Sequence, residues 1–381
     1  MKIAILSPWT VKPTSIGGTE RFVIDLAESF INANNEVDVY MLSGDSYIKN
    51  KVNYISMNLF KDINEVDEYF LKSQFNQFND EQSFENLAKK IEDKISFDKY
   101  DLIQLNSQLF LKVAEEKARI FTIHTNPFEY KLDWGEISFE IMLKLMYKES
   151  MMEKTYFVTP SKYYANLYKD LSNTNIYFIP HAIDVSRITS DNDRNQILDK
   201  MNIEQNKKII LLPSRLEPIQ KQPMLFMKAF ALLDDNIKSN YKVICTGKDK
   251  QYEQFMDDIL NFCQKNNIDI LIDRFDKMSD GYKVADIVML PSKSESFGYS
   301  ALEALSLGIV TILNNIPTYK EIVDGAKNYY LFDNSVESLN EVLKEVLIKK
   351  IDRVNQTEDW KNRYSTKLFC IRYSNLINIK K

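Results

Sequence analysis

The sequence predicts an α/β protein of two domains, each a parallel sheet covered by helices, with the domains facing each other across a cleft. Three observations carry this prediction. Short apolar runs, many of them β-branched, alternate with helical patterns along the chain. The runs are nearly continuous in apolar character, which is typical of strands buried on both faces. The length of 381 residues exceeds what one hydrophobic core usually supports.

The apolar runs give the order of the strands. In the first half they lie at 2–6, 36–42, 52–57, 101–105, 119–123, 155–159 and 176–179. A polar segment rich in Asp and Asn follows. Further apolar runs then lie at 209–213, 241–246, 268–272, 286–290 and 309–313. These patterns predict an N-terminal domain over 1–185, a linker over 186–206 and a C-terminal domain over 207–355.

The segment 356–381 is predicted to be a closing helix. Its apolar residues recur at helical spacing and form one stripe, which needs a surface to pack on: Trp360, Tyr364, Leu368 and Ile371. We expect this helix to return to the first domain.

Composition excludes several classes. Residues 1–185 hold 20 basic against 27 acidic side chains and the remainder has a net charge of +2, so a basic nucleic-acid footprint is absent. No apolar run approaches the roughly 20 residues of a membrane span, and the first run stops at Ser7 and Pro8, too short for a signal peptide, which predicts a cytoplasmic protein. The three cysteines lack CxxC spacing, and no DxD pair, HExxH motif or His/Cys cluster has convincing metal spacing, so no metal is expected.

The stretch PSKSESFGYSALEALSLG, residues 291–308, joins a predicted strand to a predicted helix. Glu295 stands in the loop beyond the carboxyl end of the strand, where open α/β sheets bind ligands. The backbone N–H groups of Phe297, Gly298 and Tyr299 open the helix and suit a phosphate. Glu303, one turn later, could accept hydrogen bonds from a ribose. The alternative is that Glu303 only complements the helix dipole and Glu295 is solvated.

A second loop, PSRLEPIQKQP at 213–223, also follows a predicted strand. Arg215 and Lys221 could converge on a diphosphate, the first as a planar fork and the second as a point charge. Taken alone, the loop also fits a solvated basic turn.

Two features of the first half lie at comparable strand ends. Gly17 and Gly18, in PTSIGGTER, open a predicted helix and would let a phosphate or sugar approach the backbone, although a simple turn explains them as well. His124, in FTIHTN, could present a neutral imidazole to a sugar hydroxyl. A structural histidine is the alternative, and His181 in IPHAID is interpreted as structural.

Together these motifs resemble the retaining glycosyltransferases of family 4, which have the two-domain GT-B fold. The resemblance covers nearly the whole chain, through IGGTERFVIDLAESF, FTIHTN, IPHAID, SRLEPIQKQP, DIVMLPSKSESFGYSALEALSLG, NNIPTYKEIV and the closing helix. It implies two Rossmann-like domains, the first on the acceptor side and the second binding a nucleotide sugar. It also implies a metal-independent transferase with no cofactor beyond its co-substrate, expected to be a UDP-sugar. The implied acceptor is a glycan, lipid-linked or protein hydroxyl, with no nucleic acid; membrane association is not indicated.

The resemblance assigns roles residue by residue. Glu295 would bind donor sugar hydroxyls and Glu303 the ribose, while Arg215 and Lys221 would hold the diphosphate as it leaves. His124 would contact the sugar near the reacting carbon, and Gly17 and Gly18 would line the phosphate and acceptor side.

The sequence departs from the family at three points that put the hinge turn and the donor pocket in doubt. His181 and Ala182 stand where Asn-Gly is frequent, and Gln222 and Thr318 each stand where glycine is frequent. A GT-B epimerase or phosphorylase, or a two-lobed sugar-binding or nucleotide-binding protein without catalysis, are the alternative functions. A nicotinamide dehydrogenase is disfavoured because no GxGxxG follows the first strand.

Overall fold

The structure, a computed structural model, describes residues 1–12, 17–59, 80–127, 131, 135–152, 154–247, 252–273, 275–349 and 351–378. The chain divides into two compact units. Unit 1 comprises Met1–Ala182 with Tyr364–Lys381, and unit 2 comprises Ile183–Arg363. Each unit is built on a largely parallel sheet with helices packed against it, so the predicted α/β class with two parallel-sheet domains is confirmed.

The sheet of unit 1 has the strand order β3-β4-β2-β1-β5-β6-β7-β8. Its strands are β1 (Lys2–Ser7), β2 (Glu36–Met41), β3 (Tyr47–Lys49), β4 (Val52–Ser56), β5 (Leu102–Leu105), β6 (Arg119–Thr122), β7 (Thr155–Thr159) and β8 (Ile176–Phe178). All neighbouring strands pair in parallel except β3 with β4, which form a hairpin at the sheet edge. The helices before Ala182 are α1 (Gly18–Asn32), α2 (Glu81–Glu92), α3 (Glu136–Ser150) and α4 (Lys162–Ser172).

The sheet of unit 2 has the strand order β11-β10-β9-β12-β13-β14, all in parallel. Its strands are β9 (Lys208–Arg215), β10 (Tyr241–Gly247), β11 (Ile270–Ile272), β12 (Ile287–Leu290), β13 (Val310–Asn314) and β14 (Tyr329–Phe332). Its helices are α5 (Arg194–Lys200), α6 (Pro223–Ala231), α7 (Asp235–Lys238), α8 (Glu253–Lys265), α9 (Met278–Val284), α10 (Tyr299–Ser306), α11 (Pro317–Val323), α12 (Val336–Leu347) and α13 (Glu358–Arg363). The last helix, α14 (Thr366–Asn378), belongs to unit 1. None of the helices in the described ranges has the length and apolar character that a membrane span requires.

The segment 186–206, expected to be a linker, lies within unit 2 and contains helix α5. The side chain of Asp193 caps this helix by accepting hydrogen bonds from the N–H groups of Asn195 and Gln196. Arg194 donates to Asp286 at 3.1 Å, which fixes α5 beside the start of β12. The Asp and Asn content of the segment therefore reflects helix capping as well as exposure.

The closing segment forms two helices, so the prediction of one continuous apolar stripe was wrong. Trp360 belongs to α13 in unit 2, where its indole N–H donates to the carbonyl of Ile322 at 2.8 Å. The chain leaves helical geometry before α14 begins, so the buried positions of α14 do not continue the helical spacing that starts at Trp360. Over residues 366–376 of α14, the buried side chains are Phe369, Tyr373 and Leu376, whereas Ile371 is 43% exposed.

The two faces of the unit 1 sheet carry separate cores. Helices α1 and α14 pack together on one face, where Phe22, Phe30, Phe369 and Tyr373 belong to one buried cluster. Helices α2, α3 and α4 contribute to a second buried cluster, which includes Phe84. The predicted site residues of the first domain lie on the side of the sheet that α1 and α14 cover.

A buried ion pair stands within unit 1. Arg119 pairs with Glu149 of α3, and each side chain is only 1% exposed. Arg119 also donates to the carbonyls of Leu111 and Val113, each at 2.9 Å. Burial, together with the hydrogen bond that the protonated Glu149 carboxyl group donates to the Glu115 carboxylate, raises the pKa of Glu149 to about 7.

Candidate active site

Three loops of unit 2 lie at the carboxyl edge of its sheet. They follow β9, β12 and β13, which are neighbours in the strand order. In a parallel sheet the carboxyl ends of adjacent strands meet at one edge, so side chains from these loops can converge.

The loop after β9 is held by Glu217. Its carboxylate accepts hydrogen bonds from the backbone N–H groups of Ile219 at 2.9 Å, of Gln220 and of Lys221 at 3.0 Å. Gln222 follows with a φ of +47°, the left-handed conformation that glycine favours, at a position where the resemblance implies a glycine. Pro223 then begins α6. This folding fixes the backbone from which the Lys221 side chain extends.

Glu295 is the point on which three loops converge. Its Oε1 atom lies 2.7 Å from Lys221 Nζ, 2.8 Å from Ser292 Oγ and 3.2 Å from Tyr319 Oη. The Lys221 and Glu295 side chains are 14% and 17% exposed, so both are largely withdrawn from water. Burial and the Glu295 charge hold the pKa of Tyr319 well above its ordinary value, which keeps its hydroxyl a hydrogen-bond donor.

The start of α10 requires glycine. Gly298 caps this helix with a φ of +104°, which side-chain-bearing residues rarely adopt. A Cβ atom there would lie 2.7 Å from the Tyr319 ring. Phe297 is 6% exposed and packs edge-on against the Tyr299 ring, with centroids 5.4 Å apart. The backbone N–H groups of these three residues therefore begin the helix next to the loop that carries Glu295.

Glu303 lies inside α10 and is only 6% exposed. It accepts a short hydrogen bond from the hydroxyl of Tyr282, which is itself buried. Arg353 donates to the carbonyl of Tyr282 at 2.6 Å. The structure thus gives Glu303 a defined buried setting.

Arg215 is the exposed last residue of β9. Gly247 of β10 pairs with it across an irregularity in the register. A Cβ atom on Gly247 would lie 2.1 Å from the Ser214 carbonyl and 2.3 Å from Arg215 Cα. Only glycine therefore allows β10 to pass this close to the backbone that carries Arg215.

The first-domain residues lie at the corresponding edge of unit 1. His124 follows β6 and is half-buried, with its Nε2 atom 3.5 Å from Asn106 Oδ1. Burial lowers the pKa of His124 to about 3, so its imidazole is neutral at physiological pH. The Phe22 ring lies edge-on to it at 4.6 Å, and the His181 ring lies 5.6 Å away.

Gly17 and Gly18 stand at the start of α1. Gly17 is the N-cap with extended backbone (φ −68°, ψ 148°), and Gly18 is exposed as the first helical residue. A Cβ atom on Gly17 would lie 2.2 Å from the Glu20 carboxylate. Residues 13–16 of this loop lie outside the described part of the chain.

Within unit 2, the structure brings Lys221 and Glu295 into direct contact, with α10 and Glu303 following in the same segment. Ser292 and Tyr319 were not among the predicted site residues, and each supplies a hydroxyl to Glu295. Their position beyond the ends of β12 and β13 was the available signal. His181 was interpreted as structural, and the structure places its buried ring beside His124.

Comparison with solved structures identifies the fold. Sucrose-phosphate synthase from Thermosynechococcus elongatus superposes with a TM-score of 0.74 at 16% identity, covering 99% of this chain and 98% of that one. WaaG, a glycosyltransferase involved in lipopolysaccharide biosynthesis, gives 0.69 at 15% identity, covering 97% and 95%. Anabaena HepE in complex with UDP and glucose gives 0.70 at 16% identity, covering 99% of each chain. The fold is therefore that of the GT-B glycosyltransferases.

Sequence comparison identifies the family. Residues 16–187 match the family model for glycosyltransferase family 4, and residues 193–363 match that for glycosyl transferases group 1. This chain belongs to the family 4, group 1 glycosyltransferases, as the sequence motifs predicted.

Curated relatives match over shorter stretches. The D-inositol 3-phosphate glycosyltransferase of Corynebacterium jeikeium is 29% identical over 174 residues, 43% of this chain and 41% of the relative. The O-antigen biosynthesis glycosyltransferase WclY of Escherichia coli is 26% identical over 111 residues, 28% of this chain and 30% of the relative. The matched part spans less than half of these relatives.

Proposed function

We propose that this glycosyltransferase moves a sugar from a nucleoside diphosphate donor, a UDP-sugar, to a hydroxyl group of a glycan or related acceptor. The observation that carries the proposal is the contact of Lys221 with Glu295 beside the start of α10. A cation, a carboxylate and the N–H groups at the start of a helix, all at one sheet edge, match the three parts of a sugar diphosphate. The structures of Anabaena HepE with UDP and glucose, and with UDP-glucose, support the choice of donor.

In this proposal the two basic residues stabilise the leaving group. The difficult step is departure of the diphosphate from the anomeric carbon through an oxocarbenium-like transition state. Lys221 and Arg215 stand where negative charge grows, and fixed donors of this kind supply a large part of catalysis. Protein cations then replace the role that a metal ion would have, so the reaction is metal-independent.

Glu295 and Glu303 orient the donor. Glu295 accepts hydrogen bonds from hydroxyls of the donor sugar, and Glu303 accepts them from the ribose. His124 contacts the sugar as a neutral imidazole, consistent with its lowered pKa. The departing phosphate takes the proton of the acceptor hydroxyl on the same face of the sugar, which retains the anomeric configuration. Gly17 and Gly18 line the acceptor side.

The first experiment is a donor screen on the purified chain. UDP-, GDP- and ADP-sugars are tested by thermal shift, where a bound donor at 100 times its Kd should stabilise the protein by about 2.7 kcal/mol. The UDP-sugar that stabilises is then assayed for UDP release with and without glycan acceptors, and the anomeric proton of the product is examined by NMR. UDP release that depends on acceptor supports transfer, whereas an epimerase releases none.

Two substitutions test the site. Glu295→Gln and Lys221→Met should each lower kcat/KM about 100-fold, since each removes a group that acts on the reacting donor. Lys228→Met is the matched control, because Lys228 is exposed on α6 and its loss removes the same charge. Normal turnover by Glu295→Gln, or no stabilisation by any nucleotide sugar, would refute the proposal.

A further inference from the structure

A chain of buried polar side chains links the last helix to His124. The hydroxyl of Tyr373 in α14 lies 3.0 Å from Thr122 Oγ1. Gln104 Nε2 donates to Thr122 Oγ1 at 2.8 Å and lies 3.2 Å from Asn106 Oδ1. Asn106 Oδ1 in turn lies 3.5 Å from His124 Nε2. The contacts therefore run without a gap from the terminal helix to the imidazole, the last of them being the longest.

The sheet explains why these residues meet. Strands β5 and β6 are parallel neighbours, with Gln104 paired to Ile120 and Leu105 to Phe121. Side chains two residues apart point to the same face of a sheet. Gln104 therefore shares a face with Asn106, and Thr122 shares a face with His124. Tyr373 belongs to the buried cluster on which α1 and α14 pack. Phe22 belongs to the same cluster and touches the rings of both Tyr373 and His124, with centroids 6.3 and 4.6 Å away.

The hydrogen bonds of the Asn106 amide determine which of its two atoms, the oxygen or the nitrogen, faces His124. Its amide nitrogen donates to the carbonyl of Leu6 at 3.0 Å, and its oxygen receives the Gln104 amide. The oxygen is therefore the atom presented to His124 Nε2. An acceptor at that place favours the neutral tautomer with its proton on Nε2, which leaves Nδ1 as the acceptor.

The polar chain is costly for a core. Tyr373, Thr122 and Gln104 are each fully buried, and Asn106 is 2% exposed. Among the described residues, the Gln104 Oε1 atom has no hydrogen-bond partner. A buried polar group left unpaired destabilises the fold, and an apolar residue would serve packing alone. The arrangement therefore indicates a role other than packing.

We propose that Tyr373 is a positioning residue for His124, acting through Thr122, Gln104 and Asn106 to set the orientation and tautomer of the imidazole. The inference rests on the proposed function, in which His124 contacts the donor sugar. It gives the last helix a part in the reaction, although no residue of that helix touches the imidazole by a hydrogen bond in the described chain.

The test combines two readouts. The chain has only two histidines, so ¹⁵N-histidine labelling gives a simple NMR spectrum, in which His124→Asn assigns the signals. Tyr373→Phe removes one hydroxyl and keeps the ring. We expect it to shift the His124 ring nitrogens towards the other tautomer and to lower kcat about tenfold, with the donor KM unchanged, since misplacing a reacting group costs rate.

Two further variants sharpen the result. Gln104→Met interrupts the series of hydrogen bonds in its middle while keeping a similar side-chain volume. It should give the same NMR shift and the same loss of kcat. The double variant should be no worse than either single one, because both act through one path. Tyr40→Phe is the control: it also loses a buried hydroxyl contact, 2.7 Å from Tyr100 Oη, and Tyr40 belongs to the other core of unit 1. It should leave the histidine signals and kcat unchanged.

The outcomes separate this inference from the proposed function. Wild-type ring-nitrogen shifts in Tyr373→Phe overturn the inference, whether or not the protein transfers sugar. An equal loss of kcat in Tyr40→Phe also overturns it, because stability would then be the cause. If no nucleotide sugar is turned over, the proposed function fails, and the NMR readout still decides whether Tyr373 sets the tautomer.

Discussion

The Lys221–Glu295 ion pair should be measurable as a coupling free energy in the absence of any ligand. At the observed separation of 2.7 Å, two unit charges in an effective dielectric of about 20 attract by roughly 6 kcal/mol. Withdrawal from water offsets most of this, since both side chains are less than a fifth exposed. We expect a net coupling of about 1–3 kcal/mol.

The assay is a double-mutant cycle of wild type, Lys221→Met, Glu295→Gln and the double variant, each unfolded in urea. The protein has three tryptophans, of which Trp360 belongs to unit 2 and is 1% exposed. In a background with Trp9→Phe and Trp134→Phe, its fluorescence follows the unfolding of that unit alone.

The single variants differ in what they leave behind. Lys221→Met leaves the Glu295 carboxylate with its two hydroxyl donors, Ser292 and Tyr319, so the charge is not stranded. The coupling, and not either single loss, is therefore the quantity that reports the ion pair. A coupling below about 0.5 kcal/mol, within the usual error of additivity, would refute the account of the pair as a desolvated contact.

Two further predictions concern stability. Gly298→Ala should destabilise unit 2 by about 1–3 kcal/mol in the same fluorescence assay. The new alanine would have to adopt a φ of +104°, and its Cβ atom would lie 2.7 Å from the Tyr319 ring. A loss below about 0.5 kcal/mol would contradict this prediction. Because the pKa of Glu149 is raised from 4.5 to about 7, the folded state binds its proton more tightly. The contribution of this group to stability should therefore be complete below pH 4.5 and fall by roughly 1–3 kcal/mol as pH rises to 7. Glu149→Gln should flatten this slope in urea unfolding of unit 1 measured from pH 5 to 7, whereas Glu140→Gln, at an exposed position of the same helix, should retain it.

The sheets could be predicted because their strands are buried on both faces and read as apolar runs. Two strands were missed, and both lie at sheet edges. Tyr47–Lys49 is three residues long and pairs antiparallel through a turn at Asn50 and Lys51, which have φ values of +51° and +66°. Asn50 is a usual turn residue but Lys51 is not, so the hairpin had only a partial signal. Tyr329–Phe332 is aromatic or apolar throughout, but it is only four residues long and three of them are only partly buried.

The closing helix shows the limit of periodicity. Trp360 and Tyr364 fit one helical stripe with Leu368 and Ile371, and four apolar residues at that spacing favour a single helix. The break between α13 and α14 is decided by tertiary contacts instead. The indole N–H of Trp360 donates to the carbonyl of Ile322 within unit 2, whereas α14 packs on α1. A sequence pattern cannot show that consecutive turns belong to different units.

The arrangement around Glu295 shows what the sequence could and could not give for the site. Loops after parallel strands pointed to Lys221 and Glu295, but the convergence of two hydroxyls on the same carboxylate depends on how three loops fold together. Among the described residues, every hydrogen bond to this side chain ends on Oε1, from Lys221, Ser292 and Tyr319. In the proposed function the second oxygen accepts a hydrogen bond from a hydroxyl of the donor sugar, while the first is already held in place. A carboxylate oriented before the ligand arrives needs no reorganisation in the reaction, and this is the physical basis on which we assign Glu295 to the donor sugar.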